Sequence, residues 1–212
     1  LDFTLQYPPR REYFQDHFRT RLDVTQDIAL LKSVLLYVHV PFCQAKCYFC
    51  NFAVDVRRDP ALHQRYTDML CEQIRRLDGA LPSDAVVPGI DIGGGTPTLL
   101  EAQQLTQIPD ALRPWIKRAT TPRPLSIETT PRIAASHPER LAALRAGGVT
   151  RISMGVQSVN ASTLAAVNRS AQQDMTEQAL RNMRDAGFDR INVDVIFGLP
   201  DQSIDDWTAN VR

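Results

Sequence analysis

The chain has 212 residues, 43% hydrophobic and 23% charged, with 24 lysines and arginines against 24 aspartates and glutamates. A chain of this length and make-up can bury a sizeable core. Zero formal net charge gives no electrostatic footprint for nucleic acid or an anionic membrane. No apolar run is long enough to cross a bilayer and no signal sequence is evident, so the expectation is a cytoplasmic protein with neither membrane nor nucleic-acid partners.

Residues 1–33 are polar and aromatic, broken at Pro8-Pro9, and read as an N-terminal extension to a main domain over 34–212. Leu35 to Val40 is a nearly continuous apolar run, as expected of a strand buried on both faces. It leads into YVHVPFCQAKCYFCNF. From Ala61 to Leu77, the residues Leu62, Tyr66, Met69, Leu70, Ile74 and Leu77 fall on one helical face, with Cys71 as a core thiol. Ala85 to Ile92 is a second strand, ending at Gly93-Gly94-Gly95-Thr96-Pro97. A helical stretch carrying Leu105, Ile108 and Leu112 follows, then a strand at Leu125–Thr129. Pro138 to Ala146 reads as a helix, with proline at its start and Gly147-Gly148 as its stop. Arg151–Val156 is a fourth strand, Thr176–Ala186 a helix and Ile191–Phe197 a fifth strand. At the end, SIDDWTANVR begins to look helical, and further chain is expected beyond Arg212.

RAGGVTRISMGVQS and DAGFDRINVDVIFG share an outline, each running from a helix end through glycine into a strand. Their offset of about forty residues suits one βα unit and predicts a parallel α/β sheet. An open sheet and a closed barrel share that pattern.

Cys43, Cys47 and Cys50 fall within eight residues as C-x-x-x-C-x-x-C. A structural disulfide framework does not suit so tight a spacing, with only Cys71 as a distant partner. Three thiolates can hold a cubane iron–sulfur cluster by three of its four irons, leaving one iron open to another ligand. Alternatively, His39 can join them as a Cys3His set for zinc. The polar residues that follow cluster at strand ends, where ligands bind in parallel α/β folds. The glycine run follows the second strand, Glu128 closes the third, Gln157 and Arg169 follow the fourth, and Asp194 sits in the fifth. Bare glycine backbone lets a small polar ligand approach closely.

YVHVPFCQAKCYFCNF, DIGGGTPTLL, SIETTP, RISMGVQS and NVDVIFGLP, in this order and spacing, resemble the oxygen-independent coproporphyrinogen III oxidase (HemN-like) family of radical S-adenosylmethionine (SAM) enzymes. The likeness runs from about Leu35 to Trp207. It implies a parallel (β/α)6-type partial barrel, of which this chain carries five strands. It also implies a [4Fe-4S] cluster on Cys43, Cys47 and Cys50, with one or two SAM molecules. Tyr37, Phe49, Gly94, Gly95, Thr96, Glu128, Gln157, Arg169, Asp194 and Ile196 match positions that line SAM sites in that family. The implied activity begins with a 5′-deoxyadenosyl radical and needs a one-electron donor such as flavodoxin or ferredoxin. Two departures stand out: Phe52 replaces a further cysteine of the decarboxylating enzymes, and Ala171 stands where many relatives carry histidine. On that basis the expected reaction is methyl transfer of the class C radical SAM methyltransferase type, or carbon–carbon bond formation, on a small or peptidyl conjugated or heteroaromatic substrate. Coproporphyrinogen III oxidation and haem trafficking by a chaperone are the alternatives.

Overall fold

The computed structural model describes residues 28–122, 124–170 and 173–211, so most of the expected extension lies outside the described residues. Strands β1 (Ser33–Val40), β2 (Val86–Gly94), β3 (Leu125–Thr129), β4 (Arg151–Gln157) and β5 (Arg190–Val195) form one sheet. All neighbours are parallel and lie in chain order. The helices between them are α1 (Pro60–Ala80), α2 (Ala102–Ala111), α3 (Arg113–Lys117), α4 (Pro131–Ser136), α5 (Pro138–Ala146), α6 (Ala161–Ala166) and α7 (Gln173–Asp185), and α8 (Ile204–Asn210) follows β5. This is the open, partial-barrel α/β arrangement that the βα repeat and the resemblance led us to expect.

Register separates the two faces of the sheet. Val38, Ile92, Ile127, Ile152 and Ile191 lie side by side across the five strands. With Ile90, Leu125 and Met154 they join one apolar core with Cys71 and Ile74 of α1, Leu105 and Ile108 of α2, Leu144 of α5 and Met183 of α7. One residue along each strand the side chains point the other way. There the row is Tyr37, Asp91, Ser126, Arg151 and Arg190, none of them buried. β1 is therefore not buried on both faces as its apolar run suggested. Its burial alternates, with Leu35 and Tyr37 open and Val38 and Val40 enclosed.

The helices begin where local chemistry satisfies their first amides. Asp59 accepts the Ala61 amide ahead of α1, whose first residue is proline. Asn160 accepts the Ser162 and Thr163 amides ahead of α6. The Asn160 turn lies three residues after the end of β4, and the Asp59 turn closes the long segment that joins β1 to α1.

Candidate active site

A cavity of about 260 Å³ lies at the carboxyl ends of the strands. It forms because β2 runs past β1 and bonds to the segment that leaves it. The Gly95 amide donates to the Val40 carbonyl at 2.8 Å and the Thr96 amide to the Phe42 carbonyl at 2.7 Å. Only glycine permits that approach, since a Cβ on Gly95 would stand 2.6 Å from the Pro41 and Phe42 carbonyl oxygens. Phe42 is buried against the rings of His63 and Tyr66, at 4.0 and 5.2 Å between centroids. The cysteine loop thus departs from a fixed point.

The loop returns to the same point. The Asp55 amide donates to the Pro41 carbonyl at 2.8 Å and the Cys43 amide to the Asp55 carbonyl at 3.0 Å. Between these ties Cys43, Cys47 and Cys50, all reduced, border the cavity. The Cys43 thiol lies 3.7 Å from the Thr96 hydroxyl. Burial pushes its pKa up, and the Thr96 contact works in the opposite direction. On the far side the loop meets the turn after α6. The Tyr48 amide donates to the Val167 carbonyl at 3.1 Å, the Asn168 amide group to the Lys46 carbonyl at 2.8 Å, and Arg169 Nη1 approaches Cys47 Sγ at 3.6 Å.

The remaining lining comes from the other strand ends. Glu128 accepts the Gly94 amide at 3.3 Å, and burial raises its pKa, with the nearby Asp194 and Asp91 charges adding to the shift. Asp194 sits on β5 beside Gly155 and accepts from the Asn192 side chain at 2.7 Å. Gln157 ends β4 at a register irregularity with a φ of 70°, a left-handed conformation uncommon outside glycine. Arg169 also donates to the Gly155 carbonyl, while its Nε is buried without a hydrogen-bond partner. An unsatisfied guanidinium nitrogen at a cavity wall suits an anionic ligand group.

Of the residues expected to line a ligand site, the cavity gathers Phe49, Gly94, Gly95, Thr96, Glu128, Gln157, Arg169 and Asp194 with the three cysteines. Tyr37 and Ile196 are not part of this lining. The Tyr37 hydroxyl instead crowds Gly93 beside Glu128. The Ile196 amide donates to the Gln157 carbonyl at 3.0 Å. His39 is also outside the lining. Its Nε2 lies 2.9 Å from the Ala53 carbonyl and its ring packs over Gly94, so the Cys3His zinc set is not assembled. Among the described residues no group of three or more His, Cys, Asp or Glu side chains is placed to hold a metal ion. By donor chemistry, three thiols bordering one cavity that Thr96, Glu128 and Arg169 also line suit a polynuclear cluster held by three of its irons, with the fourth open to a second ligand.

Sequence reasoning missed Asn168 and Ser153, both of which line the cavity. Ser153 could have been found from its alternation with Arg151 on β4. Asn168 has a φ of 57°, and asparagine tolerates that conformation, but the sequence does not reveal which loop its side chain meets.

A parallel α/β sheet with a three-thiol loop after its first strand defines a class, and the family comparison agrees. Residues 37–212 match the model of the radical SAM superfamily, and the chain belongs to it. That superfamily uses a [4Fe-4S] cluster and SAM. Within it, the chain is 34% identical over 214 residues to the oxygen-independent coproporphyrinogen III oxidase of Salmonella typhimurium, covering 97% of this chain and 44% of that one. It is 34% identical over 181 residues to the Escherichia coli enzyme of the same name, covering 85% of this chain and 39% of the other. The solved structure of coproporphyrinogen III oxidase (HemN) from Escherichia coli matches with a TM-score of 0.76 at 31% identity, over 91% of this chain and 44% of that one. The chain therefore spans less than half the length of these relatives. Among the described residues, no helix is long and apolar enough to cross a membrane.

Proposed function

We propose that this chain forms the cofactor-binding part of a radical SAM enzyme, with a reaction of the coproporphyrinogen III oxidase type. The observation that carries the reading is the single cavity that collects three thiols, a glycine-rich strand end, two carboxylates and a part-unsatisfied arginine. Cys43, Cys47 and Cys50 would hold a [4Fe-4S] cluster. Gly94, Gly95 and Thr96 would present backbone to SAM, and Glu128 and Asp194 would accept hydrogen bonds from its hydroxyl or ammonium groups. Arg169 would pair with its carboxylate. When bound, the two cofactors supply a 5′-deoxyadenosyl radical that takes a hydrogen atom from the substrate, after one electron arrives from a donor such as flavodoxin or ferredoxin. The chain's own part is to orient these groups and to wall off water with Phe49, Phe52 and Val54.

The named relatives favour the oxidase reading over the methyl transfer that the sequence led us to expect. One observation keeps methyl transfer as a second reading. Phe52, standing where decarboxylating enzymes carry a further cysteine, lines the cavity itself, so it puts an aromatic ring in place of a thiol there. The test is turnover of the anaerobically reconstituted, reduced full-length protein with SAM and coproporphyrinogen III. Release of carbon dioxide with 5′-deoxyadenosine supports the oxidase reading. Release of S-adenosylhomocysteine, with labelled methyl carbon in a product, supports methyl transfer. A protein that holds stoichiometric zinc and no iron after anaerobic purification overturns both.

A further inference from the structure

The cysteine loop is held from two sides by different means. Cys43 is anchored where the loop begins, through the Asp55 carbonyl and the Thr96 hydroxyl. Among the described residues Cys50 is tied within the loop, its amide donating to the Cys47 carbonyl at 3.1 Å. Cys47 is the midpoint, and it is reached from the turn 122 residues further along the chain. In that turn Asn168 does two things at once. Its backbone adopts a φ of 57°, which reverses the chain after α6 and puts the Val167 carbonyl on the Tyr48 amide and Arg169 against Cys47. Its side chain then donates to the Lys46 carbonyl at 2.8 Å, the acceptor of the peptide that joins Lys46 to Cys47.

We propose that Asn168 is a positioning residue that fixes the Lys46–Cys47 peptide and thereby seats the Cys47 thiol as a cluster ligand. The inference rests on the cluster assigned above. Residue chemistry at this position is narrow. Glycine can adopt the backbone but has no donor. Aspartate tolerates the backbone but presents an acceptor to an acceptor. Asparagine alone of these three both tolerates the turn and donates. The contact is solvent-exposed, so its loss costs the fold little and is felt chiefly where the loop must hold a thiol in register. Loosening Cys47 also loosens Cys50, because Cys50 has its backbone tie on Cys47.

The test compares the full-length protein with its N168G and N168D variants, each anaerobically reconstituted with iron and sulfide. The readouts are the rate at which iron passes to an excess of bathophenanthroline and the thermal midpoint of the protein before reconstitution. The inference predicts iron release roughly tenfold faster in both variants, the ratio that loss of one ordinary hydrogen bond can produce. It also predicts that N168G keeps the thermal midpoint of the unsubstituted protein, because glycine keeps the turn. Release at the unsubstituted rate in both variants overturns the inference while leaving the proposed function standing. An unsubstituted protein that takes up no iron overturns both.

Discussion

The two faces of the sheet follow opposite rules although they alternate residue by residue along the same strands. Behind the sheet, Ile92, Ile127 and Ile152 stack in register into a core of helix side chains and are almost fully enclosed. In front, Asp91, Ser126 and Arg151 occupy the next register and stay accessible. The back face is fixed by burial of apolar area, which tolerates exchanges of similar volume. The front face is fixed by individual polar contacts, each with one geometry. A strand here serves both, so neighbouring residues differ in what they are for.

The sharpest break between the faces is at the thiols. Replacing Cys43, Cys47 or Cys50 by alanine should abolish a cubane cluster, read as loss of all bound iron and of its broad visible absorption. Cys71→Ala should leave iron content unchanged, because that thiol is enclosed in the back-face core and reaches only the Gln107 carbonyl, at 3.6 Å. Its cost should appear in stability alone.

Ile127 and Glu128 put the same contrast on adjacent residues. Ile127→Ala should cost about 2–5 kcal/mol of unfolding free energy from lost burial and the cavity left behind, measured by urea denaturation. Glu128→Gln should leave that quantity nearly unchanged and weaken SAM binding by about ten- to a hundredfold, the range for a lost charge-assisted hydrogen bond. Asp194→Asn should behave like Glu128→Gln. Equal SAM affinity in both carboxamide variants, with a fall in stability instead, would make these carboxylates structural.

Glycines sort the same way. Gly95→Ala drives a methyl group into backbone oxygens that cannot move without parting β2 from the segment leaving β1. It should destabilise by about 1–3 kcal/mol and lower iron retention as well. Gly79→Ala, in α1 with nothing within 4 Å of the added carbon, should stabilise by about 0.5–1 kcal/mol. Paired thermal melts of the two variants decide this.

The back face was the part most open to sequence reading. β3 matches Leu125–Thr129 and α5 matches Pro138–Ala146 to the residue, because turn chemistry flanks both. The short helices α4 and α6, six residues each, span too few turns for a 3.6-residue period to declare itself. Polar site residues were recognised where they sit beside a motif, as with the cysteines and the glycine run. The polar row from Tyr37 to Arg190 was not recognised. It is made by cross-strand register: Tyr37, Asp91 and Ser126 taken alone look like interruptions in apolar strands, and Arg151 and Arg190 stand at strand starts. Asn168 escaped notice for a related reason, since its partner Lys46 is set by tertiary contact.

The smallest expected effect is also the one that tests how far water is kept from the Tyr37 hydroxyl beside Glu128. The Tyr37 ring is about half exposed, but partial desolvation of its phenol and then the charges of Glu128 and Asp91 push that group up to about 12, against about 10 in an unfolded chain. The fold therefore favours the neutral phenol. That contribution is fully present below about pH 10 and is lost as pH rises through 10 towards 12. Phenolate absorbance followed through an alkaline titration should show, as the difference between the native protein and its Tyr37→Phe variant, one phenol ionising near the upper value. Glu128→Gln should move that step down by removing one charge, yet keep it above the unfolded value because burial is the larger cause. A phenol that titrates at its ordinary value in the native protein would mean that water reaches the Tyr37 hydroxyl freely and screens it from Glu128 and Asp91.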